Sequence, residues 1–92
     1  MVQRIHVYYV GRVQGVGFRL PAEETAHELR VLGWVKNLRD GRVELIAEAE
    51  EATLRRFLNA IRTGPMKNFI QHVEISWSDA SNVFDDFQIR YY

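Results

Sequence analysis

Residues 4–19 read RIHVYYVGRVQGVGFR, and this stretch combines the pattern of a β-strand with that of a glycine-rich loop. Residues 4–10 predict a strand with alternating faces: Ile5, Val7 and Tyr9 on one, His6, Tyr8 and Val10 on the other. Residues 11–19 hold three of the six glycines in the chain and predict a loop. Pro21 suits the first position of a helix, which makes Leu20 the expected cap. A strand, a loop and a helix therefore follow one another here.

The rest of the chain predicts a second helix and four more strands. The first helix is expected to end at Gly33, and its apolar face carries Ala22, Ala26 and Leu29. The second helix runs from about Glu50 to Arg62, with a core stripe at Leu54, Phe57, Leu58 and Ile61. The later strands are WVKNL at 34–38, RVELIAEA at 42–49, HVEISW at 72–77 and DFQIRYY at 86–92, the first two joined through Asp40-Gly41. This order predicts an α+β fold, a ferredoxin-like β-α-β-β-α-β sandwich with an additional C-terminal strand. Its sheet is expected to be largely antiparallel, with two helices on one face.

The composition excludes several classes of protein. Ninety-two residues are one domain's worth of chain, so we expect a single domain over residues 1–92. Twelve basic and twelve acidic side chains leave no formal net charge, which argues against a nucleic-acid partner and against a membrane surface. No cysteine is present, which excludes disulfides, thiolate metal sites and a cysteine nucleophile. The first eighteen residues hold two arginines and no long apolar run, so we expect a soluble, cytoplasmic protein. We also expect it to act as a monomer.

The glycine-rich loop is the best candidate for a functional site. Gly15 and Gly17 allow positive φ and a close approach of the backbone to a ligand. The first backbone N–H groups of the following helix have no partner within the helix, and they favour an anion. Arg19 could bind two oxygens of a phosphate with its guanidinium group. Spacing alone leaves open a second interpretation, an ordinary glycine-rich connection with an exposed arginine.

Two motifs together give a more specific prediction. GRVQGVGFR at 11–19 and GWVKNLRDGRVE at 33–44 resemble the two signatures of the acylphosphatase family. The resemblance implies a metal-independent hydrolase without a cofactor, which cleaves the carboxyl-phosphate anhydride of a small-molecule acyl phosphate. It implies that Arg19 binds the phosphate and that Asn37 holds the attacking water. It also implies that the backbone of the five residues before Arg19 lines the phosphate-binding cradle: Gln14, Gly15, Val16, Gly17 and Phe18.

The chain departs from the family pattern at three places. Tyr9 stands where an aliphatic residue is usual, Leu20-Pro21 follows the arginine where an aromatic is common, and Ala49 replaces a glycine. We expect Tyr9 to alter the packing beneath the loop and Leu20 to alter the pocket wall. If position 49 needs a positive φ, alanine there costs about 1 kcal/mol.

Two other functions have to be weighed against this one. Acylphosphatase-like domains also occur in larger carbamoyl-phosphate-processing maturation proteins. RNA-recognition modules share the same β-α-β-β-α-β order, and they place stacking aromatics and basic residues on their central strands. Here the segment VELIAEA at 43–49 has no aromatic residue and carries Glu44 and Glu48, which disfavours RNA binding.

Overall fold

The computed structural model describes residues 1–91, and its elements follow the predicted order. The strands are β1 (Val2–Gly11), β2 (Leu32–Asn37), β3 (Val43–Glu50), β4 (Ile70–Asp79) and β5 (Phe87–Arg90). The helices are α1 (Arg19–Leu29) and α2 (Glu51–Thr63), and a 3-10 turn (Lys67–Phe69) precedes β4. The five strands form one sheet in the order β4-β1-β3-β2-β5, in which only β2 and β5 run parallel. The predicted ferredoxin-like α+β architecture is therefore confirmed. Tyr92, in the predicted last strand, lies outside the described residues.

One hydrophobic core lies between the sheet and the two helices. Of the two predicted faces of β1, the one with Ile5, Val7 and Tyr9 lies in the core, since each of these residues is at most 1% exposed. The helices contribute the buried side chains of Ala22, Ala26, Leu54, Phe57 and Ile61. The alternation in β1 and the helical spacing in α2 thus identify core residues directly, because both patterns reflect a local backbone period.

Helix α1 begins earlier than the sequence pattern predicts. Arg19 is its first residue and Phe18 is its N-cap, so the expectation of Leu20 as cap and Pro21 as first residue is wrong. Phe18 already has helical φ and ψ angles of −64° and −40° and accepts a hydrogen bond from the N–H of Ala22 at 3.3 Å. Proline is tolerated throughout the first turn because its missing N–H would have no partner there. The shift places Arg19 on the helix rather than in the loop.

The end of α1 also differs from the prediction. The helix stops at Leu29, and Arg30 adopts the left-handed conformation with φ of 58°. The N–H of Val31 then donates to the carbonyl of Ala26 at 2.8 Å, which closes the last turn. Gly33 does not terminate the helix but lies inside β2, where a Cβ would overlap the carbonyl oxygen of Ile46. A glycine is needed at position 33 because β2 and β3 pack closely there.

Two further expectations concern β2 and β3. The hairpin between them is confirmed, but the connection spans residues 38–42, with Gly41 at φ of 97°. Ala49 lies inside β3, and it is not among the non-glycine residues of positive φ in the described chain. The departure at position 49 therefore causes no backbone strain.

The connection from β4 to β5 is held by a buried carboxylate. Glu48 is 3% exposed, and it accepts hydrogen bonds from the backbone N–H groups of Ser81 and Asn82 at 2.8 and 3.0 Å. Arg4 donates to the same carboxylate through Nε at 2.8 Å. Burial opposes the charge, but these hydrogen bonds outweigh it and lower the pKa of Glu48 below its ordinary value of 4.5. Glu48 thereby holds the segment that carries β5 to the far edge of the sheet.

Candidate active site

The glycine-rich loop between β1 and α1 needs its glycines for backbone conformation. Gly15 and Gly17 have φ angles of 75° and 77°, a region that residues with a Cβ rarely adopt. A Cβ added at either position would meet no heavy atom within 4 Å, so space is not the constraint. The loop turns sharply at both glycines and leads into α1 at Arg19.

No side chain caps the N-terminus of α1. Phe18, at the cap position, has no polar side chain, and no side-chain hydrogen bond is made there. The first backbone N–H groups of the helix therefore keep their capacity to bind an anion, and the helix dipole adds about +0.5 charge at this end. Phe18 is 2% exposed, and its ring centroid lies 4.9 Å from that of Tyr9. The unusual Tyr9 thus packs directly beneath the last residue of the loop, as expected.

Gln14 joins the loop to the β2–β3 hairpin. Its side-chain Nε2 donates to the carbonyl of Leu38 at 2.6 Å and to the carbonyl of Arg42 at 2.8 Å. Both carbonyls belong to the hairpin connection that begins one residue after Asn37. The sequence motif suggested only the Gln14 backbone as a ligand, and this side-chain role was missed. It places the loop directly against the end of β2.

Asn37 is the last residue of β2 and lies opposite Val43 of β3. Its side chain is half-buried, and its Oδ1 atom is buried without a hydrogen-bond partner among residues 1–91. An unsatisfied buried acceptor costs about 1–3 kcal/mol. The amide is neutral and can both donate and accept, so it is suited to bind a water beside an anion.

Arg19 reaches the same end of the sheet. Its guanidinium carbon lies 4.9 Å from the centroid of the Tyr91 ring. Tyr91 directly follows Arg90, which pairs with Lys36 of the parallel strand β2, so Tyr91 comes level with the end of β2. Within residues 1–91, no carboxylate lies within salt-bridge distance of Arg19. The structure therefore brings the loop, Arg19 and the end of β2 together at one corner of the fold.

The tip of the hairpin contains its own ion pair. Arg42 donates to Asp40 through its backbone N–H at 3.1 Å and through Nε at 2.8 Å. These bonds, the one from the backbone N–H first, lower the pKa of Asp40. The Arg42 guanidinium carbon also lies 4.3 Å from the ring centroid of Tyr8. The charge of Arg42 is thus partnered at the tip of the hairpin.

Neither a metal cluster nor a membrane span is found in the described part of the chain. Over residues 1–91, no three His, Cys, Asp or Glu side chains are grouped so that they could hold a metal ion. Neither α1 nor α2, within the same residues, has the length and apolar character needed to cross a bilayer.

The sheet order and the loop place the chain among the small α+β proteins of ferredoxin-like fold, and comparisons with known proteins define it further. The sequence model of the acylphosphatase family matches residues 5–89. An acylphosphatase from Archaeoglobus fulgidus is 41% identical over 87 residues, which cover 95% of this chain and 97% of that protein. The crystal structure of acylphosphatase from Bacillus subtilis has a TM-score of 0.89 at 36% identity and covers 99% of this chain and 100% of that one. The chain belongs to the acylphosphatase family.

The family defines the reaction. The chain is an enzyme that hydrolyses acyl phosphates at the carboxyl-phosphate anhydride, yielding a carboxylate and inorganic phosphate. The structure of HypF from T. kodakarensis has a TM-score of 0.82 at 28% identity, with 96% of this chain covering 12% of that chain. The identity to the acylphosphatases is higher than the identity to HypF, so the comparisons do not favour a domain of a larger protein over an acylphosphatase.

Proposed function

We propose that the phosphoryl group of the substrate is bound by Arg19 and by the backbone N–H groups of residues 14–18. The support is the corner where the uncapped start of α1, the two positive-φ glycines and the Arg19 side chain meet. Three partly negative phosphoryl oxygens need donors on more than one side, and a fork of guanidinium N–H groups facing a loop of amides supplies them.

Asn37 orients the attacking water. The observation that supports this step is the place of Asn37 at the end of β2, one residue before the carbonyl to which Gln14 of the loop donates. The neutral amide of Asn37 can hold a water beside the phosphoryl group while that water keeps a lone pair free for phosphorus. Gln14 supports the arrangement, because its two hydrogen bonds hold the loop against the residues that follow Asn37.

The reaction needs little acid–base help. The water oxygen bonds to phosphorus, the bond between phosphorus and the acyl oxygen breaks, and the carboxylate leaves without a proton. The proton lost by the water passes to a phosphoryl oxygen, which completes inorganic phosphate. Catalysis then depends on position and on charge stabilisation, as is usual in phosphoryl transfer.

Kinetics of substitution variants test these roles. Hydrolysis of a chromogenic aromatic acyl phosphate is measured in EDTA, together with inhibition by inorganic phosphate. We expect Arg19→Ala to lower kcat, raise KM and weaken phosphate inhibition. We expect Asn37→Ala to lower kcat about 100-fold or more and to leave phosphate inhibition nearly unchanged.

Two exposed residues provide matched controls. Arg12→Ala removes an exposed arginine at the start of the same loop, and Asn68→Ala removes an exposed asparagine of the 3-10 turn. Both variants should retain parental kinetics. Activity that survives Arg19→Ala or Asn37→Ala, or loss of phosphate inhibition in Asn37→Ala, would contradict the assignment.

We further propose that the enzyme is a cytoplasmic, metal-independent monomer without a nucleic-acid partner. Glu44, on the open face of the sheet, lies 2.7 Å from His6 Nε2 and accepts from the Tyr8 hydroxyl at 3.2 Å. Burial and this carboxylate raise the pKa of Tyr8. The negative charge of Glu44 also disfavours a nucleic-acid phosphate backbone on this face of the sheet. Sedimentation, activity after chelation and titration with single-stranded RNA at low salt test these points.

A further inference from the structure

Strand β4 lies at the edge of the sheet, beside the layer of helices. Helix α2 packs over β3 and β1. The side chains of β4 that face the helix layer are Val73, Ile75 and Trp77, which pair with the core residues of β1. Ile75 and Trp77 are nevertheless 42% and 37% exposed, and Val73 is half-buried. Helix α2 therefore leaves the apolar face of β4 partly uncovered.

A cavity of about 260 Å³ lies between α2 and β4. Its lining is apolar at Tyr9, Leu58, Val73 and Ile75 and polar at Arg55, Asn59 and Arg62. At about 30 Å³ for each water molecule, this volume holds a small organic molecule and is too small for a peptide strand. A mainly apolar lining with a few polar groups is typical of small-molecule sites.

Tyr9 lines this cavity, and it holds an unsatisfied donor that is buried behind the cavity wall. Its side chain is 1% exposed, and its hydroxyl oxygen is buried with no hydrogen-bond partner among residues 1–91. Burial raises the pKa of Tyr9, so the hydroxyl keeps its proton and can donate. Leaving such a group unpaired is costly, and it calls for an acceptor on a ligand.

The two arginines at the cavity differ in their partners. Arg55 is 2.9 Å from Glu51 Oε2 and lies over the Trp77 ring, so its charge is already engaged. Arg62 makes only a 3.5 Å contact with Asn59 Oδ1 among the described residues, and no carboxylate is paired with it there. The carbonyl end of α2 carries about −0.5 charge, which the full charge of Arg62 outweighs. Arg62 therefore favours an anion.

We propose that this cavity is a second binding site, and that it takes a small amphiphilic carboxylate with a hydrocarbon chain of about six to ten carbons. The chain packs against Leu58, Val73 and Ile75. The carboxylate pairs with Arg62, and a shift of the Tyr9 side chain opens its buried hydroxyl to the cavity so that it donates a hydrogen bond to the carboxylate. A carboxylate fits better than a neutral head group, because within residues 1–91 the cavity offers one cation without a carboxylate partner and one neutral donor.

The proposed site shares no residue with the phosphate cradle, although Tyr9 packs against Phe18. Binding can therefore be measured while the cradle is filled. The full chain, saturated with inorganic phosphate, is titrated with octanoate and followed by amide NMR shifts and by calorimetry. We expect saturable binding, with shifts at residues 55–62 and 73–75.

Three ligands and three variants sharpen the experiment. Octanol, which lacks the charge, and acetate, which lacks the chain, should each bind at least about tenfold more weakly than octanoate. Arg62→Gln should raise the Kd for octanoate about 10-fold to 100-fold, and Tyr9→Phe about 2-fold to 10-fold. Arg56→Gln, at an exposed position of α2 outside this cavity, should leave the Kd unchanged.

The stability of Tyr9→Phe separates binding from folding. Removing an unpartnered buried hydroxyl should leave the thermal midpoint of the free protein equal to or above that of the parent. Weaker octanoate binding in a variant of undiminished stability then reports the lost hydrogen bond. The proposal is overturned if octanoate shows no saturable binding, if octanol binds equally well, or if the shifts are confined to residues 14–19.

Discussion

The guanidinium carbon of Arg19 lies 4.9 Å from the centroid of the Tyr91 ring, although 71 residues separate the two along the chain. Tyr91 is 72% exposed, so the ring covers one side of the arginine while its own outer face meets solvent. A cation–π contact at an exposed site contributes about 0.5–1 kcal/mol. This contact orients the guanidinium group at the loop.

Replacing the Tyr91 ring tests that contact. Tyr91→Ala should raise KM for the acyl phosphate about 2-fold to 5-fold. Without the ring, the Arg19 side chain is less well oriented and loses more conformational entropy when the substrate binds. Tyr91→Phe keeps the ring and should retain the parental KM. Steady-state kinetics decide, and an unchanged KM in Tyr91→Ala would show that the ring plays no part.

The Gln14 side chain should matter for both activity and stability. Gln14→Leu removes two hydrogen bonds to the hairpin carbonyls, so we expect the free energy of unfolding to fall by about 1–2 kcal/mol. Because the loop then moves relative to Asn37, kcat/KM should fall about tenfold or more. Urea denaturation and kinetics measure the two effects.

An exposed glutamine serves as the control for that variant. Gln88→Leu, on β5, should change neither quantity appreciably. If Gln14→Leu behaved like Gln88→Leu, the hydrogen bonds from loop to hairpin would have no functional weight.

Glu48 predicts a dependence of stability on pH. Its pKa in the folded protein lies below its ordinary value of 4.5, so the unfolded chain takes up a proton first as the pH falls. The carboxylate therefore stabilises the fold fully above about pH 4.5, and this contribution is lost as the pH falls through the lower folded pKa. Glu48→Gln should cost about 2 kcal/mol at pH 7.

The difference between the parent and Glu48→Gln should shrink at low pH. Chemical denaturation at pH 7 and pH 3 measures it. Asp40→Asn is the control variant. It removes a second carboxyl group whose pKa is lowered, but Asp40 makes no contact with the segment that Glu48 holds. A difference that is equal at both pH values would contradict the role given to Glu48.

Arg30 offers a route to higher stability. Its φ of 58° is strained for a residue with a Cβ, and glycine is the usual residue at such a helix end. Arg30→Gly should raise the free energy of unfolding by about 0.5–1 kcal/mol. Arg30→Ala removes the same guanidinium group but keeps the Cβ, so it should not stabilise. Thermal unfolding of the pair distinguishes relief of strain from loss of charge.

Local patterns predicted most of the fold. The alternation of Ile5, Val7 and Tyr9 placed them on one face of β1, and the spacing of Leu54, Phe57 and Ile61 identified the core face of α2, because each pattern reflects the period of its own element. The boundaries of α1 were predicted less well. Phe18 and Arg30 adopt backbone angles that a residue pattern does not reveal, and Gly33 serves a contact with Ile46 rather than a helix end.

The motifs identified the loop and the family, while the tertiary structure decided how the site is assembled. Positive φ at Gly15 and Gly17 is a local requirement, which residue identity alone already indicates. The contacts of Gln14 with Leu38 and of Arg19 with Tyr91 join residues that are far apart in the chain. They exist because β5 pairs in parallel with β2 and because the hairpin folds back beside the loop. Such contacts depend on strand order and register, which no local period specifies.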